Sequence, residues 1–363
     1  MVIEKGRYDF VIDSYSHHFL EPYNFPTVRA HYLYKGLKQL GYSCFLRKRT
    51  GILEHALSTT RFTHRFCRYL KRPSLPPARF LILTYYQLPD DEWETVKREY
   101  EQADIASFFN LQDFSIGDES DFFVNQTRWF REHGANLCHT VTQTRQSDRE
   151  YFIGSGIDPS LFKPKKQKTI LVECGLRENR ENIGRSRPTI SVKVIDKVLP
   201  QFQRRGYKVV VCGDNLDDVD FSFTPDRKFR YSTHSKFARL LSEACVYVAA
   251  NESYGLPLAE AQMAGTVLTL MKNQYNKQVI RTQLFSEYEG AKFENGRFVN
   301  INKSAESLKQ AIEPAIQITN ATGCHEQIRN SVLKEFDYRE QAKKVAKVCL
   351  AVGKSKEACV LGQ

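Results

Sequence analysis

Short apolar runs separated by helical stretches, laid down in two blocks, constrain this chain more than any other feature of its sequence. In the first block YDFVIDSY leads into VRAHYLYKGLKQLGY, and SCFLR, RFLILTYY, ADIASFF and ANLCHTVTQ follow. The pattern restarts with TILVECG, SVKVIDKVLPQFQRRG, YKVVVCGDN, SKFARLLSEA and CVYVAANES. Parallel neighbours need a crossover between them, so this alternation predicts an α/β fold with doubly wound parallel sheets. GIDPSLFKPKKQK, polar and basic with two prolines, stands between the blocks with the composition of an interdomain linker. The expected division is two Rossmann-like domains, 1–164 and 165–340, followed by a C-terminal helix and tail over 341–363 that frays after about Gly353. A length of 363 residues suits two cores, since single cores stop growing at about 250–300 residues.

Net charge is +11, which calls for an anionic partner: a nucleotide, a phospholipid surface or a nucleic acid. The excess is concentrated over residues 47–79, where nine Lys or Arg meet one acid, Glu54. No run approaches the roughly 20 apolar residues that span a bilayer, and MVIEKGRYDFVIDSY enters a strand pattern without a signal-peptide core. The expected location is the cytoplasm, with peripheral attachment to the inner face of the membrane as one option and a host cytoplasm if the protein is viral. Nine cysteines stand without any CxxC spacing, several inside apolar runs, and read as reduced thiols rather than zinc ligands or disulfide partners.

The segment CVYVAANESYGLPLAEAQMAG, residues 245–265, carries the sharpest chemical signal. A β-prone run delivers Glu252 to the carboxyl end of a strand, and a Gly-Leu-Pro turn then opens a helix. The N–H groups of Tyr254, Gly255 and Leu256 have no partner within that helix, and they and the helix dipole favour phosphate. Gly255 permits close backbone approach, and Pro257 suits a first helical turn. Glu260 follows Glu252 by eight residues, so two carboxylates can address one bound molecule as acceptors for hydroxyls.

This segment resembles the Glu-x7-Glu motif of retaining glycosyltransferases of the GT-B, twin-Rossmann type, family 4-like. The two acids, the intervening Tyr-Gly-Leu-Pro-Leu and the Ala-Gly that closes the segment all fall in place. GIDPSLFKP is similar to the segment with which that family enters its second domain, and VVVCGDN to its strand ending in Gly-Asp. The resemblance covers about residues 155–350. It implies two Rossmann-like domains facing a cleft, with the C-terminal helix packing back on the N-domain. It also implies that Glu252 contacts hydroxyls of the donor sugar, that Ser253, Tyr254, Gly255 and Leu256 hold diphosphate and sugar, and that Glu260 binds the ribose. Gly213 and Asp214 then border the base or ribose.

The family places an Arg and a Lys after the first strand of the second domain to neutralise the leaving diphosphate. The matching region, ECGLRENRENIGRSRPTISVK, offers Arg177, Arg180, Arg185 and Arg187, with Arg185 the first candidate; arginine grips phosphate in a bidentate fork. The glycine-rich loop expected after the first strand is missing, and DSYSHHFLEPYNFPTVRAHY offers Ser16, His17 and His18 in its place. FFNLQDFSIGDE puts Gln112 and Asp113 where the acceptor-side histidine of the family would lie.

By this resemblance the donor is a nucleoside diphosphate sugar, UDP- or GDP-linked, and a hexosyl or pentosyl group passes to an acceptor hydroxyl with its anomeric configuration retained. The cations around Arg185 take the place of a metal, so neither cofactor nor metal is expected; the lone Asp-x-Asp, Asp218 to Asp220, lies in a loop. The acceptor stays open. RFTHRFCRYLKRPSLPPARF interleaves Arg61, Arg65, Arg68, Lys71 and Arg72 with aromatic residues. Such a surface suits anionic lipid around an envelope glycan or lipid-linked saccharide, or else DNA carrying hydroxymethylated bases. An epimerase or phosphorylase on the same fold, and a non-catalytic nucleotide-sugar or nucleic-acid binding protein, are the competing classes. Oligomeric state is not legible in the sequence.

Overall fold

The computed structural model describes residues 7–13, 25–47, 76–83, 94, 104–107, 134–138, 150–174, 192–213, 216, 219–230, 234–249, 256–272, 280, 282–289, 291–294, 297–300 and 304–361. The chain forms two compact units: Met1–Ile157 with Glu335–Gln363, and Asp158–Lys334.

In the first unit, β1 (Tyr8–Asp13), α1 (Phe25–Gln39), β2 (Cys44–Arg47), β3 (Ala78–Leu83), β4 (Asp104–Ser107), β5 (Gly134–Cys138) and β6 (Glu150–Phe152) follow in order. The strands form a parallel sheet in the order β2-β1-β3-β4-β5-β6. The middle of β1 (Phe10, Val11, Ile12) and of β3 (Phe80, Leu81, Ile82) is buried throughout, the mark of strands covered on both faces. Arg47, one of the nine basic residues that crowd 47–79, does not join a surface patch. It is buried at the end of β2 and lies 3.2 Å from Asp13 at the end of β1.

The second unit comprises β7 (Gln167–Glu173), α2 (Val192–Arg204), β8 (Lys208–Gly213), β9 (Arg227–Arg230), α3 (His234–Glu243), β10 (Ala244–Val248), α4 (Leu256–Met263), β11 (Val267–Met271), β12 (Phe285–Tyr288), the hairpin β13 (Ala291–Glu294) and β14 (Arg297–Asn300), and α5 (Ser304–Thr319). Then α6 (Cys324–Phe336) leads out of it. Its sheet, ordered β12-β11-β10-β7-β8-β9, is parallel throughout. Numbered within the unit, that is the 3-2-1-4-5-6 order of dinucleotide-binding domains. Helix α2 shows why the pattern folds this way: Ile195, Val198, Leu199 and Phe202, at helical spacing, are its buried residues and pack against Val209, Val211 and the α5 side chains Leu308 and Ile312.

The last helix, α7 (Tyr338–Leu361), belongs to the first unit. Its Ala342, Val345, Ala346 and Cys349 share one core with Phe10, Ile12, Leu33, Leu37, Phe80 and Ile82, so the C-terminal helix packs back on the N-terminal sheet. The Tyr338 ring stacks on Tyr32, and its hydroxyl donates to Gln39 Oε1 at 3.1 Å. The helix continues past Gly353, where the sequence reading has it fray. One glycine costs about 1 kcal/mol in a helix, and KSKEACVL beyond it contains no second breaker.

The chain leaves the first unit at Ile157 and returns at Glu335. Within that unit Ile157 N–H donates to Phe336 O (2.7 Å), and Tyr338 N–H donates to Ile157 O (3.0 Å). The basic segment that follows Ile157 is pinned to the second unit. Phe162 is buried, and the Arg329 guanidinium donates to the carbonyls of Pro159 (2.8 Å), Phe162 and Met263 (2.5 Å). Lys166 Nζ reaches Leu241 O, Ala244 O and Thr266 Oγ1 at 2.9, 2.8 and 2.7 Å. Among the described residues no helix is long and apolar enough to cross a membrane, and Cys44, Cys174, Cys212, Cys245, Cys324 and Cys349 are free thiols.

Candidate functional site

In an open parallel sheet, ligands bind beyond the carboxyl ends of the strands at the point where strand order reverses. In the second unit that point lies between β7 and β10, which run side by side while β8 and β11 continue in opposite directions. The site candidate therefore gathers at the ends of β7, β8 and β10 and at the start of α4.

Several interactions fix this edge. Tyr247 is fully buried, and its hydroxyl donates to Glu173 Oε2, at the end of β7, at 3.0 Å. Burial first, and the neighbouring Glu173 charge second, push that hydroxyl well above its ordinary pKa, so it remains a donor. The exit from β10 is held twice: Ala249 N–H donates to Thr269 O (3.0 Å), and the Tyr288 hydroxyl donates to Ala249 O (2.8 Å). At the end of β8, a Cβ on Gly213 would collide with the Cys174 carbonyl oxygen, so only glycine fits between these two strand ends.

Helix α4 is buried on every side, a consequence of its apolar sequence LPLAEAQM. Its one acid, Glu260, is wholly buried, with Oε1 2.6 Å from His234 Nε2 at the start of α3. The helix stops in a left-handed turn at Gly265 (φ 71°), where Gly265 N–H donates to Gln262 O and Thr266 N–H to Ala261 O, both at 2.8 Å. His325 Nδ1 sits 2.7 Å from Gly265 O, and a Cβ at Gly265 would meet the His325 backbone. This gives the Ala-Gly that closes the Glu-x7-Glu segment a physical reason.

Of the residues the sequence singles out, Gly213, Leu256 and Glu260 are placed at this edge: Gly213 ends β8, Leu256 opens α4 and is buried, and Glu260 lies one turn further on. Arg177, Arg180, Arg185, Arg187, Asp214, Glu252, Ser253, Tyr254 and Gly255 lie outside the described residues, as do Ser16, His17, His18, Gln112, Asp113, Arg61, Arg65, Arg68, Lys71 and Arg72. His234 and Arg329 escape a sequence reading. Neither belongs to a motif, and their partners lie 26 and up to 170 residues away. Among the described residues, no three His, Cys, Asp or Glu side chains gather as metal ligands.

No family model matches the sequence, and no curated protein matches it either. Solved structures do. AviGT4, a glycosyltransferase involved in avilamycin A biosynthesis, is similar over 95% of this chain and 98% of its own, at 11% identity and a TM-score of 0.54. Alr3699/HepE of Anabaena, solved in complex with UDP, is similar over 94% and 99%, at 8% identity and a TM-score of 0.56. The fold is GT-B. A chain of the GtfA/B complex is similar over 76% of this chain, at 13% identity and a TM-score of 0.50. The chain spans a little over half the length of the GtfA/B and Staphylococcus aureus TarM chains it matches, 57% and 55%. At these identities the likeness concerns the GT-B fold.

Proposed function

We propose that this GT-B chain is a retaining glycosyltransferase that moves a hexosyl or pentosyl group from a UDP- or GDP-linked sugar to an acceptor hydroxyl. The observation that carries the reading is the buried Glu260 carboxylate, on a helix launched from the reversal point of a 3-2-1-4-5-6 sheet. A carboxyl group this deep in the interior needs a hydrogen-bond partner, and helices that pack only for stability rarely bury one. Glu260 takes the ribose, Glu252 the sugar hydroxyls, and the backbone from Ser253 to Leu256 the diphosphate, with Gly213 and Asp214 beside the nucleoside. Arg185, with Arg177, Arg180 and Arg187 around it, stabilises the departing diphosphate while the acceptor attacks from the face it leaves, so that charge stabilisation and positioning supply the catalysis without a metal. The similarity to AviGT4 and to UDP-bound HepE supports nucleotide-sugar use.

The acceptor in this reading is an envelope glycan or lipid-linked saccharide, reached through the basic, aromatic stretch around Arg61 to Arg72 at the cytoplasmic face of a membrane. Thermal-shift screening against nucleoside diphosphate sugars should give a rise of several degrees for one donor, because ligand binding to the native state stabilises it. That donor is then incubated with lipid extracts and with hydroxymethylated DNA. Sugar on the lipid fraction upholds the acceptor assignment, and sugar on DNA replaces it. Glu252→Ala should lower transfer by about a hundredfold or more at unchanged melting temperature, and an anomeric assignment of the product by NMR tests retention. No shift with any donor overturns the enzymatic reading in favour of a binding protein.

A further inference from the structure

His234 lies outside every motif, yet it bonds Glu260. Its Nε2 stands 2.6 Å from Oε1, within hydrogen-bond distance; the carboxylate side chain has no solvent exposure, and the imidazole has 16%. The ring itself is held in place. It packs against Phe162, with ring centroids 5.7 Å apart, and Phe162 is buried with its carbonyl bonded by Arg329. The same guanidinium donates to Met263 O, at the far end of the helix that bears Glu260. One frame thus fixes both the imidazole and the helix, which leaves the carboxylate little freedom to turn.

A carboxylate that binds a ligand hydroxyl gains most when its orientation is set beforehand, because the ordering cost is then not charged to binding. We infer that His234 is the positioning residue that aims Glu260 at the ribose of the bound nucleotide. The inference rests on the proposed ribose contact of Glu260. It adds that this contact depends on an imidazole outside the Glu-x7-Glu segment, and that GIDPSLFKP reaches the nucleotide site through Phe162 and His234.

The test compares affinities by calorimetry on the full-length chain. UDP and GDP are titrated, and the tighter one is compared with its 2′,3′-dideoxy form. A hydrogen bond to a charged group sets the expected preference of the native chain for the ribose form at about tenfold or more. His234→Ala should bring that ratio close to one. His234→Gln, whose amide supplies a donor of similar reach, should retain most of it. His234→Phe keeps the packing on Phe162 without the donor and serves if the alanine variant does not fold. Should the alanine and phenylalanine variants lower the melting temperature yet keep the ratio, His234 is merely structural and the inference is overturned. Glu260→Gln separates the two levels. If it loses the ratio while the His234 variants keep it, only the inference fails; if it keeps the ratio too, the ribose role of Glu260 fails and the inference with it.

Discussion

The two units use parallel sheets of six strands but secure them differently. In the first, the ends of β1 and β2 are joined by an ion pair, Asp13 to Arg47, and the core is completed by a helix from the other end of the chain. In the second, the ends of β7 and β10 are joined by a hydroxyl on a carboxylate, Tyr247 to Glu173, and the core comes from one unbroken segment, 158–334. The second unit is self-sufficient and holds the candidate nucleotide edge. The first depends on contacts made across nearly the whole sequence, such as Tyr338 with Gln39.

The largest test of that contrast removes residues 335–363. Burial of a single Val is worth about 1.5–3 kcal/mol, and with Val345 would go Ala342, Ala346, Cys349 and the Tyr338 contacts, against a total stability of about 5–15 kcal/mol. Hydrogen exchange should show β1 and β3 unprotected while β7, β8 and β10 keep their protection; protection in both sheets would break the comparison. Next is Asp13→Ala, which takes one carboxylate away from a buried guanidinium and should cost the first unit about 3–5 kcal/mol in denaturant melts. The double change Asp13→Leu with Arg47→Met should recover most of that loss. A smaller effect falls on the second unit: Gly213→Ala forces β8 away from Cys174 and should cost about 1–3 kcal/mol, with weaker nucleotide binding in the same calorimetry.

The last effect is one of pH. Burial pushes the Lys166 ammonium from its ordinary 10.5 down to about 7. The unfolded chain therefore holds this proton more tightly between pH 7 and 10.5, and over that window the second unit gains stability as pH rises, with no gain below 7. Lys166→Met removes the titration, so its melting temperature should change less between pH 7 and 9 than that of the native chain. Equal slopes in the two proteins would remove Lys166 from the account.

Much of the second unit is legible because its strands are buried on both faces and so read as unbroken apolar runs, as in KVVVCG and ACVYV. The strand β6, of three residues, gives little for periodicity to act on. Glu260 and Gly213 stand inside recognisable segments, whereas His234, Arg329 and Lys166 do not. Each is an isolated polar residue in a stretch that reads as surface, STHSKF, EQIRNSV or KPKKQK. What makes them matter is a partner brought close only by the fold: Glu260 for His234, Pro159 O for Arg329, Ala244 O and Thr266 for Lys166. Single-residue polar anchors of this kind leave no period and no local spacing to read.

The return of α7 to the first unit also bears on how the protein is made. At about 5–20 residues per second, the ribosome needs on the order of ten to forty seconds to pass from Ile157 to Glu335, and for that interval the N-terminal sheet lacks the helix that closes it. The segment made later is complete first. Folding during translation thus runs against the direction of synthesis, and the earliest strands wait half-covered while the second unit closes ahead of them.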